Sequence, residues 1–196
     1  MTEAECWLAI PAAGCPGGPA IGTLGPAGTS SEVAAEVLRG KMRLPEEDAR
    51  RINLYDSYEA AADALRCREV SHLVVANAYA AINEFYMDTR MSLAGVFVMD
   101  TPEYGIAGLP GRAISARPVI ATHPAPRPLV DQLLPGGCAG SEILQVTSTS
   151  AAAKAASEEV TDLALTTAPA AKSYGLEFIS PTRTIRMVWS VFVSAV

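Results

Sequence analysis

Hydroxyl side chains recur at three places where an apolar run is followed by an alanine-rich run. The three places read "GTSS", "TSTS" and "TTAP", at residues 28–31, 147–150 and 166–169. If a helix begins at each, its first turn presents free backbone N–H groups and about half a positive charge. Such a turn suits an anion, for example a carboxylate. Because Ser and Thr are also ordinary N-caps, capping alone is the simple alternative for any one turn.

Short apolar runs followed by alanine-rich runs must position these turns. Six such modules begin with "AIGTLGPAGTSS", "INLYDSYEAA", "HLVVANAYAA", "PVIATHPAPR", "ILQVTSTSAA" and "DLALTTAPAA". We expect Asp56 or Ser57 to cap the second helix, and Pro124 and Pro126 to lie in the first turn of the fourth. Strands that alternate with helices predict a mainly parallel sheet with helices on both faces. In such sheets ligands bind at the carboxyl ends of the strands.

Two segments without a helical pattern, residues 94–111 and 184–196, interrupt this alternation. They predict that the chain crosses between two lobes. The first lobe would hold residues 20–96 with 184–196, the second would hold 97–183, and residues 1–19 would be a loosely ordered N-terminal extension. We expect the ligand in a cleft between the lobes, where small molecules commonly bind.

Composition excludes several classes of function. The net charge of -6 and the pI near 5.0 argue against a nucleic-acid partner, because no basic stripe is present. Four cysteines without a C-x-x-C pair, and only two histidines, predict no metal site. No apolar run reaches the roughly 20 residues of a membrane span, and the acidic start does not resemble a signal peptide. We therefore expect a cytoplasmic protein with reduced thiols and no membrane association.

Four segments resemble, in order, the catalytic domain of prephenate dehydratases. "GPAGTSS" is similar to the family's Gly-Pro-x-Gly-Thr-x-Ser motif, and "ATHPAPRPLVDQ" is similar to its Ser-His-Pro-Gln segment. "TSTSAAAKAAS" and "LALTTAPAAKSYGLEFI" are similar to its Ser-Thr-Ala-Ala and Tyr-Gly-Leu segments. The resemblance runs from about residue 20 to 196. It implies an α/β fold of two lobes, similar to class II periplasmic binding proteins, with the catalytic cleft between the lobes, and a homodimer.

The departures from this family concern its catalytic residues. The dehydratases carry Pro-Ile-Glu-Asn-Ser where this chain has Ala76–Ala80, and Asn-x-Thr-Arg-Phe where it has Met187–Val191. Their Thr is assigned the proton donation that expels the ring hydroxyl, and here Trp189 and Ser190 replace the Thr-Arg pair. The family's regulatory ACT domain, which senses phenylalanine, is expected to be absent. These departures resemble the non-aromatising prephenate decarboxylases of secondary metabolism, on routes of the bacilysin and salinosporamide type.

The resemblance also implies roles for individual residues. Trp189 would wall off the C4 side of the substrate ring, Ser190 would supply no acid there, and Tyr79 would donate or position a proton. Tyr86 is a second candidate for proton donation or positioning, although a half-buried aromatic residue is the favoured interpretation, and water or the substrate itself is the alternative proton source. The residues expected to bind substrate are Thr29, Ser31, Asn77, Ser148, Thr149, Ser150, Thr167 and Arg186. The sequence contains no Gly-x-Gly-x-x-Gly or Walker motif, and no cofactor is expected.

Three functions remain in competition at this point. The first is decarboxylation of prephenate without aromatisation, which keeps the 4-hydroxyl and gives dihydro-4-hydroxyphenylpyruvate. The second is ordinary prephenate dehydration to phenylpyruvate with a different acid, and analysis of the product separates these two. The third is a small-molecule-binding protein without turnover, which would be stabilised by its ligand but would not consume it.

Overall fold

The computed structural model describes residues 6–8, 18–42, 51–134 and 141–195, and it describes residues 6–8 by their backbone only. Most of the predicted extension over residues 1–19 lies outside the described residues. In the first half of the chain the elements are β1 (Cys6–Leu8), β2 (Ile21–Leu24), α1 (Ser30–Lys41), β3 (Ile52–Tyr55), α2 (Tyr58–Arg66), β4 (His72–Ala76), α3 (Ile82–Met87) and β5 (Met91–Asp100). They are followed by β6 (Tyr104–Gly108), β7 (Val119–Thr122), α4 (Pro128–Leu133), β8 (Glu142–Gln145), α5 (Thr149–Ser157), β9 (Leu163–Thr167), α6 (Ala168–Ser173), β10 (Glu177–Phe178) and β11 (Arg186–Ser194).

The chain forms two compact units, which we call unit 1 and unit 2. Unit 1 combines Met1–Gly25, Ser31–Asp100 and Arg186–Val196, and unit 2 combines Pro26–Ser30 with Thr101–Ile185. Each unit is built around its own sheet. The chain therefore passes between the units four times: after Gly25, after Ser30, at the end of β5 after Asp100, and at the start of β11 before Arg186.

The sheet of unit 1 has the strand order β1-β5-β11-β4-β2-β3. Strands β2, β3 and β4 are parallel, whereas β11 runs antiparallel to both β4 and β5. The sheet separates two apolar cores. Leu38 of α1 packs on one face with Val74 and Trp189, and Leu65 of α2 packs on the other with Val75 and Phe192. Helices therefore cover both faces, as the alternating modules predict.

The sheet of unit 2 has the order β10-β6-β9-β7-β8, with β7, β8 and β9 parallel. Small residues of α5 and α6, such as Ala152 and Ala170, pack on one face, whereas Leu129 and Val130 of α4 pack on the other. The prediction of one mainly parallel sheet is thus replaced by two mixed sheets. The antiparallel pairs are β1–β5, β5–β11 and β11–β4 in unit 1, and β10–β6 and β6–β9 in unit 2.

The sequence predicted the start of α2 correctly from a capping residue and the start of α4 wrongly from its prolines. Ser57 caps α2 by accepting a hydrogen bond from the N–H of Ala60 at 3.0 Å, which is one of the two caps expected from the sequence. The expected helix start at Pro124 and Pro126 is wrong, because the chain makes a turn there and α4 begins at Pro128. Proline suits all three positions by its fixed φ, so its presence alone does not locate the first turn. Within the described residues, no helix combines the length and the apolar character that crossing a membrane requires.

Candidate active site

The hydroxyl-bearing turns of unit 2 meet at the carboxyl end of β9. Thr167 donates from its Oγ1 to the carbonyl oxygen of Gly28 at 2.8 Å, and Thr166 donates to the carbonyl oxygen of Thr149 at 2.7 Å. The "GTSS", "TSTS" and "TTAP" turns are therefore neighbours in space. Gly28 has φ +86°, and a Cβ there would lie 3.2 Å from Cα of Ala170. Only glycine fits this close approach without strain.

The first turn of α5 combines a cap with a free hydroxyl. Ser148 accepts a hydrogen bond from the N–H of Ala151 at 3.0 Å, which is ordinary N-capping. Two positions later, Ser150 is 1% exposed, and its hydroxyl has no hydrogen-bond partner among the described residues. Buried hydroxyls are normally bonded, so this one is available to a ligand oxygen. Thr29 of the first turn is also buried, at 3% exposure.

Tyr104 adds a phenol to the same part of unit 2. It lies opposite Thr167 in the β6–β9 pairing, and its hydroxyl is 2.8 Å from the hydroxyl of Ser30. Burial raises the pKa of Tyr104, so it is a neutral hydrogen-bonding group there.

In unit 1, a tyrosine ties the start of α1 to the end of β4. The hydroxyl of Tyr58 is 2.7 Å from that of Ser31 and accepts from the N–H of Ala76 at 3.3 Å. Since β4 is one of the parallel strands, these groups lie at the carboxyl edge of the sheet, where ligands bind in open α/β sheets.

Three polar side chains form a closed ring of hydrogen bonds beside this edge, and we call it the Tyr86 network. Ser190 donates from its hydroxyl to Oδ1 of Asn77 at 2.8 Å. The hydroxyl of Tyr86 is 2.6 Å from Oγ of Ser190, and Nδ2 of Asn77 donates back to Tyr86 at 3.4 Å. Because the single proton of Ser190 is used on Asn77, the Tyr86 hydroxyl is the donor to Ser190.

Trp189 lies on the opposite face of the same strand. Successive residues of a strand point to opposite faces, and Trp189 packs with Leu38, Val74 and Phe97 in the core beneath α1. It is 1% exposed, and its indole Nε1 has no hydrogen-bond partner among the described residues. Trp189 and Ser190 are thus separated by the sheet.

Tyr79 is tied to a carboxylate. Its hydroxyl donates to Oε1 of Glu59, and its ring stacks near Tyr58 and Phe85, with centroid distances of 4.9 and 6.1 Å. Burial, together with the hydrogen bond and the charge of Glu59, raises the pKa of Tyr79 to about 12. A carboxylate next to a phenol opposes formation of the phenolate.

Arg186 begins β11 beside Asp100 at the end of β5. The two residues are paired in the strand register, and NH1 of Arg186 is 3.6 Å from Oδ1 of Asp100. Both side chains are about half exposed, at 52% each. A carboxylate ligand at Arg186 would have to share the guanidinium with Asp100.

The hydrogen bonds of three tyrosines in these two units were not predicted from the sequence. Tyr58, Tyr86 and Tyr104 each contact a hydroxyl residue far along the chain, at separations of 27, 104 and 74 residues. No sequence motif marked Tyr58 or Tyr104 as a candidate site residue. Tyr86 was considered beside Tyr79 as a proton donor or positioner but was interpreted as a half-buried aromatic residue. It is 36% exposed, and its network with Ser190 was not predicted.

Comparison of the fold with solved structures gives the class of the protein. A prephenate dehydratase from Arthrobacter aurescens matches with a TM-score of 0.67 at 16% identity, over 90% of this chain and 60% of that chain. A periplasmic substrate-binding protein from Coxiella burnetii matches with a TM-score of 0.52 at 13% identity, over 87% of this chain and 83% of that one. The protein therefore has the α/β fold of prephenate dehydratases, which periplasmic binding proteins share. The present chain spans only about 60% of the first of these structures.

Sequence comparison defines the family more narrowly. No protein-family model matches the chain. A prephenate decarboxylase of Bacillus subtilis is 35% identical over 176 residues, which cover 88% of this chain and 85% of the relative. A prephenate decarboxylase of Planktothrix agardhii is 37% identical over 175 residues, with 88% and 86% coverage. The chain belongs to the prephenate decarboxylase family.

Proposed function

We propose that this protein removes the ring carboxylate of prephenate as CO2 and keeps the 4-hydroxyl, so that the product is dihydro-4-hydroxyphenylpyruvate. The observation that carries the proposal is the 35% identity, over 88% of the chain, to a relative named prephenate decarboxylase. The proposed reaction draws only on side chains and backbone groups of the chain and includes no cofactor.

The 4-hydroxyl is retained only if no acid in the site protonates it. Loss of water together with CO2 would give an aromatic ring and is strongly downhill, but hydroxide leaves poorly without a proton donor. The dehydratase motif supplies a threonine at the position of Trp189, and an indole ring is no acid. Ser190 next to it gives its proton to Asn77 at 2.8 Å. Both features support a reaction that stops at decarboxylation.

The two carboxylates of prephenate need hydrogen-bond donors. In unit 2 we assign one carboxylate to the first turn of α5, with Ser150 as the principal ligand. Its buried hydroxyl without a partner supports this assignment, and the helix N-terminus adds a favourable charge. The other proposed substrate ligands are Thr29, Ser31, Asn77, Ser148, Thr149, Thr167 and Arg186.

The structure supports different roles for Trp189 and Tyr79 from those first expected. The burial of Trp189 beneath α1 supports a role as an apolar backing of the strand more than as a wall in direct contact with substrate. Tyr79 is held by Glu59, which supports a positioning role more than proton donation. We further propose that the protein is a cytoplasmic homodimer of secondary metabolism, such as antibiotic biosynthesis, on the strength of the family resemblance.

Incubation of the purified protein with prephenate tests the proposal. We expect release of one CO2 per prephenate consumed, and NMR and ultraviolet spectra of a non-aromatic keto acid that retains its hydroxyl. Phenylpyruvate as the main product would instead identify a dehydratase. Thermal stabilisation by prephenate without its consumption would identify a binding protein.

A further inference from the structure

Decarboxylation without aromatisation leaves an electron pair in the ring, and this pair must be quenched by a proton on carbon. The proposed function does not say which group provides that proton. The donor must carry an acidic hydrogen, and a nearby hydrogen-bond donor must stabilise the anion it becomes. Three tyrosines beside the carboxyl end of β4 carry such a hydrogen. The hydroxyl of Tyr58 is held between Ser31 and the N–H of Ala76, which leaves Tyr79 and Tyr86 to compare.

The surroundings of Tyr79 oppose proton donation. Its O–H already points to the Glu59 carboxylate, and the phenolate would lie against that negative charge. The pKa of Tyr79 is accordingly raised to about 12. A group that loses its proton so reluctantly is a poor general acid at neutral pH for repeated turnover, because its anion is not stabilised.

The Tyr86 oxygen has two hydrogen-bond partners that can serve it once its proton has left. Nδ2 of Asn77 already donates to the Tyr86 oxygen at 3.4 Å. The hydroxyl of Ser190, at 2.6 Å, accepts from Tyr86 in the resting state. A rotation of its O–H bond would let Ser190 donate to the phenolate once the proton has left. Hydrogen bonds to the charged form of a group stabilise that form.

The ring of Tyr86 is held in place while its hydroxyl stays accessible. It packs edge-on against Phe192 with a centroid distance of 5.1 Å and an interplanar angle of 68°. The residue is nevertheless 36% exposed, so water can return a proton to the phenolate after each turnover. By contrast, Ser190 is 0% exposed and is placed to orient Tyr86.

We propose that Tyr86 is the acid that protonates the ring carbon, and that Ser190 and Asn77 position it. This inference rests on the proposed function. In the step, the bond between the ring and its carboxylate carbon breaks, and its electron pair enters the ring as CO2 leaves. The O–H bond of Tyr86 breaks, its proton bonds to a ring carbon, and water then reprotonates the phenolate. The sum is prephenate plus one proton giving product plus CO2.

The configuration of the new C–H bond tests this assignment. Turnover in D2O should give the wild-type product with one ring deuterium in a single configuration, because one fixed acid delivers it. We expect Tyr86→Phe to lower kcat about 100-fold, within the usual range for removal of a general acid. Its residual product should carry deuterium in both configurations, because water then protonates the ring from either side.

Matched variants separate this role from a structural one. Tyr174→Phe makes the same chemical change at the end of α6 in unit 2 and should leave rate and configuration as in the wild type. Ser190→Ala keeps the Tyr86 hydroxyl but removes the hydrogen bond that orients it. We therefore expect a product in which one deuterium configuration predominates but is no longer exclusive. If Tyr86→Phe fails to fold or gives no product, a single deuterium configuration from Ser190→Ala overturns the whole inference, because the network around Tyr86 then does not direct the proton.

The outcomes distinguish the inference from the function on which it rests. If Tyr86→Phe gives product with deuterium in a single configuration, whatever its kcat, Tyr86 is not the acid, but the proposed decarboxylation of prephenate is unaffected. A single configuration from Ser190→Ala overturns the positioning role. A wild-type protein that releases no CO2 from prephenate overturns both the proposed function and this inference.

Discussion

Replacement of Trp189 by Thr separates two roles for this side chain. The sequence suggests an apolar wall against the substrate, whereas the structure buries the residue in the core beneath α1 with 1% exposure. Restoring the dehydratase Thr at a wall would change the product and leave stability almost intact. Restoring it in a core would remove most of a large buried side chain and mainly lower stability.

The size of the stability effect follows from the contacts. Truncation of a buried Trp costs about 3–5 kcal/mol. Trp189 also buries an indole N–H without a partner, and removing such a group returns about 1 kcal/mol or more. The net loss in the free energy of unfolding should therefore be about 3 kcal/mol. For a chain of this length, a loss of that size lowers Tm by about 6–12 °C.

Urea unfolding and product analysis of the same Trp189→Thr preparation decide between the two roles. Trp189→Phe is the matched control, since it keeps an aromatic ring in the core and should lose roughly 1–2 kcal/mol less than the Thr variant. A Trp189→Thr protein within 1 kcal/mol of the wild type, or one that makes phenylpyruvate at undiminished stability, would refute the core assignment. The combined change with Ser190→Arg is a poorer test, because it also buries a cation at a position of 0% exposure.

Two further predictions concern stability. Burial lowers the pKa of His72 from 6.5 to about 4, so the unfolded chain binds a proton first as pH falls and acid favours unfolding. Roughly 3 kcal/mol should be lost between these pH values, and urea titrations of His72→Leu should show a shallower pH dependence than the wild type. Gly28→Ala should lower Tm, because it forces a Cβ into a left-handed backbone 3.2 Å from Ala170, at a cost of about 2 kcal/mol. In Gly40→Ala, where no atom of another element among the described residues lies within 4 Å of the new Cβ, Tm should rise slightly; equal effects at both glycines would contradict the reasoning.

The modules of the fold were predictable because their signals are local. An apolar run, a cap such as Ser57 or Ser148, and an alanine-rich run occupy some 20 consecutive residues, and capping acts within one turn. The start of α4 was misplaced because three prolines precede or open it and each satisfies the same φ requirement. Strand direction also escaped prediction for β11, since it is set by pairing with β4 and β5, far away along the chain.

The candidate site was less predictable, because both faces of its strands are buried. Alternation of polar and apolar residues normally marks which face of a strand meets the core. In β11, the residues from Trp189 to Val193 are all buried, since a separate core covers each face. The sequence therefore could not tell on which face Ser190 would find its partners. The partner Tyr86 is 104 residues away and lies on a short helix.

The separation of Trp189 from Ser190 changes what the altered motif does. Trp189 fills the core behind the strand, so its side chain lies on the face of the sheet opposite the Tyr86 network. An Arg at position 190 would place a donor-only cation beside Tyr86 and would hold its oxygen as an acceptor. Serine instead accepts from Tyr86 at 2.6 Å in the resting state, and on the proposed mechanism its O–H turns to the phenolate once the proton has left. On the proposed mechanism, the proton source therefore lies on α3 and is oriented by Ser190, whereas Trp189 acts only through the packing of the strand.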